Sequence, residues 1–193
     1  MAHVTLLERP HGVIGRLAFA YSRRRFGRLV EPAMAAAHHR GVLVAMGALE
    51  AVAGAGWRRL DPGLRWLAIQ LTSARIGCSW CLDYGYYESQ QNEMDPAKIR
   101  DVANWRDSEL YDERERAVLE YAELATATPV AVAGEVMSSL RRHLSEAEVV
   151  ELASWVALEN YRSRFNGGLG LKSQGFADEC AVPVAAAVAS GRR

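Results

Sequence analysis

Asp61-Pro62 is a helix-start signal, an N-cap side chain followed by the residue best tolerated at the first helical position, and what comes after it constrains the rest of the chain. Leu64, Leu67, Ala68, Leu71 and Thr72 recur at helical spacing, and Gly77 stops the run one residue before Cys78-Ser79-Trp80-Cys81. The pattern predicts a helix, a glycine break and a second helix that carries two thiols. At the first turn of that second helix, unpaired N–H groups and the positive end of the dipole favour a thiolate at Cys78. Cys81, one turn on, is within its reach. The pair can cycle between dithiol and disulfide, which no other stretch of the sequence offers. The competing reading is two small buried side chains on a core helix, since free cysteine is among the most buried residue types.

The remaining segments also read as helices. Residues 14–30 mix bulky apolar groups with Arg23-Arg24-Arg25, an amphipathic helix or arm with a solvated basic face. Pro32 opens an alanine-rich helix over 33–53 that Gly54-Ala55-Gly56 ends. His38 and His39 inside it would diverge by about 100° and could not share a metal. The cysteine helix fades near Asn92, and Asp95-Pro96 starts a short helix to Val102. An acidic first turn at Asp112-Glu113 leads a stripe that closes before Pro129, and 134–143 is a further amphipathic piece. Ser145 and Glu148 form a capping box for a long helix to about Asn166, with Val149, Leu152, Ala153, Val156, Tyr161 and Phe165 as its apolar face. No stretch alternates convincingly enough to argue for a sheet. The reading is an all-α single domain: a helical extension over 1–55 packed on a core of 56–176, then a tail of 177–193.

Of the 193 residues half are hydrophobic, and equal numbers of basic and acidic groups leave no net charge. No global field therefore draws the chain to nucleic acid or an anionic membrane; a small molecule or a protein partner fits better. Three cysteines do not make an extracellular disulfide framework. Glu8, Arg9 and Pro10 interrupt any secretory signal, and no apolar run is long enough to span a bilayer. A cytoplasmic protein is expected, in which a Cys-x-x-Cys is catalytic or metal-binding more often than structural. Two thiolates make only half of a tetrahedral zinc site, and nothing completes it, so no metal or other cofactor is expected.

Ile76-Gly77-Cys78-Ser79-Trp80-Cys81-Leu82-Asp83, then the stretch from Glu113 to Leu119, then Glu159-Asn160-Tyr161-Arg162-Ser163-Arg164-Phe165-Asn166 resemble, in that order, the carboxymuconolactone decarboxylase superfamily on its alkylhydroperoxidase, AhpD-like side. The resemblance covers roughly 61–176. It implies an AhpD-like helical bundle that assembles into trimers or hexamers, with redox cysteines near a subunit interface. It also implies a proton relay in active members, a glutamate on the helix before the cysteines and a histidine one turn after the second. Here those positions hold Trp66 and Gly85. The loss matters because an ordinary thiol is only a few per cent thiolate at neutral pH and a leaving peroxide oxygen must be protonated.

Four side chains are candidates to fill the gap: Gln70 to hold a water, Arg75 to lower a thiol pKa, Tyr84 to donate a proton, and Arg164 to contact substrate. Each also reads as an ordinary polar or packing residue, and Asp83 as a solvated one. Trp66 and Trp80 are core anchors or walls of a narrow apolar pocket at the thiols. Asn160, Tyr161, Arg164 and Asn166 match the family pattern and fix the last helix beside the cysteines; Cys180 is a tail thiol. Two functions compete. One is a thiol-dependent oxidoreductase in which Cys78 and Cys81 reduce a small hydroperoxide or disulfide at the expense of an unidentified dithiol donor. The other is a non-catalytic helical homo-oligomer that acts as a redox sensor or binding module. Helix position favours the first cysteine as the attacking thiol and the resemblance favours the second, so that assignment stays open.

Overall fold

The computed structural model describes residues 2–177. Among them are nine α-helices, one short 3-10 turn and no strand. In order the helices are α1 (Gly12–Phe26), α2 (Glu31–Ala36), α3 (Arg40–Gly56), α4 (Pro62–Ile76), α5 (Ser79–Gln91), α6 (Pro96–Asp101), α7 (Glu113–Thr126), α8 (Gly134–Arg141) and α9 (Glu146–Gly168). The start signals act as their chemistry dictates. The Asp61 carboxylate accepts from the N–H groups of Gly63 and Leu64, and that of Asp95 from Ala97. Ser145 and Glu148 cap each other's backbone reciprocally. Asp112 and Glu115 do the same for α7.

The expected single helix over 33–53 is broken in two. His39 leaves the helical conformation and caps α3, its ring nitrogen accepting from the Val42 N–H at 3.2 Å. The His38 ring meets the Thr5 carbonyl at 2.7 Å. Adjacent imidazoles that one helix would send to different sides serve instead as a cap and as a tie to the first residues of the chain.

Helix α4 is the axis of the bundle. Every residue from 67 to 74 is buried. Helices α7 and α9 pack along its sides, and α5 folds back against it. A helix buried on all faces must partner its polar groups internally. Thr126 of α7 accordingly donates to Thr72, and the Ser73 hydroxyl lies 2.8 Å from Glu159 of α9. Leu140 of α8 closes the same core.

The N-terminal helices are tied to the bundle by specific contacts. The Arg25 guanidinium pairs with the buried Glu88 on α5 at 2.7 Å, and the Phe26 ring meets Tyr84 and Phe176 edge-on. Arg162 of α9 bridges Glu50 of α3. The chain after α9 returns across α5, and Asp83 anchors it by accepting from the Ser173 hydroxyl and from the N–H groups of Gln174 and Ala177. Asp83, read above as solvated, thus holds a segment in place. The expected tail beyond Ala177, with Cys180, lies outside the described residues.

The α9 capping box is testable without touching the site. Ser145→Ala is expected to destabilise the fold by about 1 kcal/mol in urea unfolding at neutral pH. The bonds from Ser145 hold the Glu148 carboxyl below its ordinary value of 4.5. A depressed carboxyl stabilises the fold above its unfolded pKa and ceases to as pH falls through the folded one. The gap between wild type and variant should therefore narrow as the solution is acidified below about 4.5.

Candidate thiol site

The site begins where α4 ends. Gly77 takes the left-handed conformation, φ 83°, that an L side chain rarely adopts. The N–H groups of Gly77 and Cys78 both bond the Ser73 carbonyl, at 2.9 and 3.0 Å, which turns the chain sharply into α5. Cys78 lands at the N-cap of α5, and its sulfur accepts from the Cys81 N–H at 3.2 Å. The two cysteines are joined in a disulfide with their Cα atoms 5.3 Å apart. Both are buried, at 2% and 5% exposure.

Helix α9 covers the sulfurs. The Asn166 amide nitrogen points between them, 3.4 Å from Cys81 Sγ and 4.0 Å from Cys78 Sγ, while its oxygen is buried without a hydrogen-bond partner. One turn before Asn166 is Ser163, whose hydroxyl donates to Glu159 Oε1 at 2.7 Å. The Glu159 residue is 2% exposed, and Arg162 contacts its other oxygen at 3.3 Å. Burial pushes the Glu159 carboxyl above its ordinary range, against the opposing pull of Arg162 and the two serine hydroxyls. A buried acid with a raised pKa beside a thiol site is the kind of group that can take up and return a proton.

A pocket of about 500 Å³ opens beside this assembly. Gly77, Cys78 and Ser79 line one side, Ser163, Arg164 and the glycine pair at the end of α9 the other, and Leu171 and Lys172 close it. Cys81 does not line it. On another side of the disulfide Trp80 stacks on Tyr84 with ring centroids 5.1 Å apart, and Phe176 contacts both rings.

The residues singled out from sequence divide accordingly. Cys78 and Arg164 both line this pocket, and Cys81, bonded to Cys78, does not. Gln70 is buried in the core, donating to the Leu82 carbonyl at 3.3 Å, and its unpartnered oxygen is not turned to the thiol pocket. Arg75 points the other way, into an ion pair with Glu123 of α7 at 2.7 Å. The Tyr84 hydroxyl is spent on Glu88 at 3.1 Å, and burial raises its pKa, so its ring is a wall and its proton stays put. Trp80 packs against the cysteines with its N–H given to Gln174 at 2.8 Å, outside the pocket lining. Trp66 packs on the main core instead, under the Arg65 guanidinium. Among the described residues no group of three or more His, Cys, Asp or Glu side chains is placed to hold a metal ion, and no helix is long and apolar enough to cross a membrane.

Sequence reading passed over Glu159, Ser163 and Lys172. A signal for the first two was present. The buried spacing Leu152, Val156 continues to 159, 163 and 166, so the inner face of α9 turns polar where it meets the thiols. Tyr161, expected inward, is exposed at 43%, and Phe165 pairs with it on the outer side.

The model of the carboxymuconolactone decarboxylase family matches residues 44–124. An AhpD-type protein of unknown function from Agrobacterium tumefaciens superposes with a TM-score of 0.66 at 25% identity, over 72% of this chain and 94% of its own. Over residues 44–124 the chain is thus similar to the carboxymuconolactone decarboxylase family, and it shares the fold of AhpD-like proteins. It is also similar to the uncharacterized protein YnjA of Escherichia coli (strain K12), 34% identical over 128 residues. That match takes in 64% of this chain and 66% of YnjA, just under two thirds of the relative. The debrominase Bmp8, solved apo and as a cysteine-to-alanine variant with 2,3,4-tribromopyrrole, shares the fold. Its apo form has a TM-score of 0.77 at 22% identity, over 90% of this chain and 92% of its own.

Gly85 is where the resemblance would place a relay histidine, and a Cβ there would sit 2.8 Å from the Gln70 amide nitrogen. Glutamine fills the volume an imidazole would need. Gly85→His alone should therefore overpack the core and cost about 1–3 kcal/mol. Gln70→Ala combined with Gly85→His should recover much of that, with a coupling of about 0.5–3 kcal/mol in a double-mutant cycle. Additive costs would show that the two positions do not compete for space.

Proposed function

We propose that the protein is a thiol-dependent oxidoreductase in which Cys78 attacks a hydroperoxide or disulfide and Cys81 resolves the product. One observation carries the reading: of the disulfide-bonded pair Cys78 and Cys81, only Cys78 lines a pocket of about 500 Å³, room for a small organic molecule. An AhpD-like fold supports the same chemistry at the level of the family.

The steps balance on this chain's own groups. In the reduced protein the Cys78 thiolate attacks the terminal oxygen of a hydroperoxide, the O–O bond breaks, and the alkoxide leaves as the alcohol after taking a proton. Cys78 is then a sulfenic acid. Cys81 attacks its sulfur, the S–S bond forms and water leaves, giving the disulfide described above. An external dithiol restores the pair by exchange. Thiolate at Cys78 is favoured by its N-cap position and by the Cys81 N–H. Thiolate at Cys81 is favoured by the Asn166 amide, since a donor to the charged form lowers a pKa.

The proton the relay would have handled goes to Glu159. Ser163 lines the pocket with Cys78 and gives its hydroxyl to that carboxylate, so a proton can pass from the pocket through Ser163 to a group whose raised pKa suits it. Trp66 and Gly85 have no such capacity.

Turnover of an organic hydroperoxide with a dithiol reductant is the direct test. Cys78→Ser should abolish it. Cys81→Ser should stop turnover but leave one equivalent of Cys78 sulfenic acid per chain, read by mass after trapping with a 1,3-diketone. Sulfenic acid at Cys81 in the Cys78→Ser variant would reverse the roles. Thiols that cycle without turning over peroxide or disulfide would leave the redox sensor as the function.

Glu159→Gln keeps the size and most hydrogen bonds of the buried acid. It should lower the Cys78 rate at neutral pH by at least about tenfold and move its apparent ionisation toward the free-thiol value of about 8.5. An unchanged pH profile in a folded variant would remove Glu159 from the mechanism.

A further inference from the structure

The charge distribution around the pocket is one-sided. Two cations line it, Arg164 from the last turns of α9 and Lys172 from the segment that follows, and no carboxylate among the described residues does. Among the described residues neither cation is paired with an acid. The contacts of Arg164 are with uncharged oxygens: the Asn160 side chain at 3.4 Å, the Thr126 carbonyl at 3.4 Å and the Thr128 hydroxyl at 3.2 Å. Lys172 has no hydrogen bond or ion pair among the described residues, and both side chains are exposed. Asp83 directs its oxygens to the Ser173 hydroxyl and two backbone N–H groups, and forms no ion pair with either cation among the described residues. The first turn of α5, behind Cys78, adds the positive end of a dipole. In a chain of zero net charge this concentration of one sign is local to the site.

We infer that the substrate of this site carries a negative charge, a carboxylate being the simplest case, held by Arg164 and Lys172 while its peroxide or disulfide bond is presented to Cys78. The inference rests on Cys78 being the attacking thiol. It assigns the two cations to substrate selection. A neutral hydroperoxide of the same size would enter the pocket but leave both of them without a partner. An anion exchanges their hydration for charge-assisted hydrogen bonds.

Two disulfide probes separate this inference from the reading beneath it. Dithiobis(nitrobenzoate) carries two carboxylates, and dithiodipyridine is neutral; each loses one aryl thiolate when the Cys78 thiolate attacks its S–S bond, forming a mixed disulfide. The quantity measured is the ratio of the two initial rates on the reduced full chain, because a change in thiol pKa alters both rates and largely cancels. The ratio for wild type should exceed that of a small free thiol at low salt and fall as salt is raised. Lys172→Gln and Arg164→Gln should each lower it about three- to tenfold, and the double variant should approach the free-thiol ratio. Lys172→Gln removes no internal bond, so it tests the inference even where Arg164→Gln disturbs α9. A free-thiol ratio in wild type, unmoved by Lys172→Gln, overturns the anionic substrate while leaving thiol chemistry standing. If neither probe reacts with Cys78, both readings fall together.

Discussion

Burying α4 on every side is the constraint from which the rest follows. A helix with no solvent face must satisfy Gln70, Thr72 and Ser73 from its neighbours, and each neighbour is thereby fixed in rotation as well as position. Thr126 meets Thr72 from α7, and Glu159 meets Ser73 from α9. The second contact sets the angular position of α9, and two turns further along the same face is Asn166, brought over the sulfurs. The hydrogen bonds that settle the core thus also build the roof of the thiol site. A buried carboxylate there is tolerated because two hydroxyls and a guanidinium surround it, which is the condition under which interior charge persists.

That arrangement gives a physical account of how a relay can change address. In this chain the two superfamily relay positions hold an indole and a glycine, and the glycine is held by volume: Gln70 occupies the space beside it. A buried acid, Glu159 of α9, still stands within the assembly, and on the proposed mechanism it takes the proton. What matters for the chemistry is a titratable group with a hydrogen-bonded path to the pocket, and the chain element that delivers it is secondary.

Access to the sulfurs has a direction. Trp80, Tyr84, Phe26 and Phe176 form an aromatic wall on one side, joined by the returning segment that Asp83 and Gln174 clamp down. The Gln174 side chain alone links three elements, accepting from Trp80 and from the Glu31 N–H and donating to the Leu29 carbonyl. The described pocket lies on the side where Arg164 and Lys172 stand, so the polarity of the approach is set by which wall was closed.

Helix-forming order was legible in the residues because it is local. Asp61-Pro62, Asp95-Pro96, the Ser145–Glu148 box and Gly77 each act within one turn of themselves, and every one of them does so here. The disulfide partners, three residues apart, were legible for the same reason. Two readings turned on partners distant in sequence: Arg75 went to Glu123, and Glu88, which takes the Tyr84 hydroxyl, is itself paired with Arg25. His39 is a local exception, leaving the helix to cap α3. The inner face of α9 was misassigned at Tyr161 and Phe165 because apolarity was followed where spacing should have been, and spacing leads to Glu159 and Ser163. By itself, then, the sequence determined an all-helical chain with a thiol pair at a helix start, since capping, periodicity and a left-handed glycine are short-range physics. Only the tertiary structure decided that Cys78 faces the pocket, that a carboxylate from α9 stands behind it and that two cations guard it. Those facts depend on the rotation of packed helices about one another, which no single segment encodes.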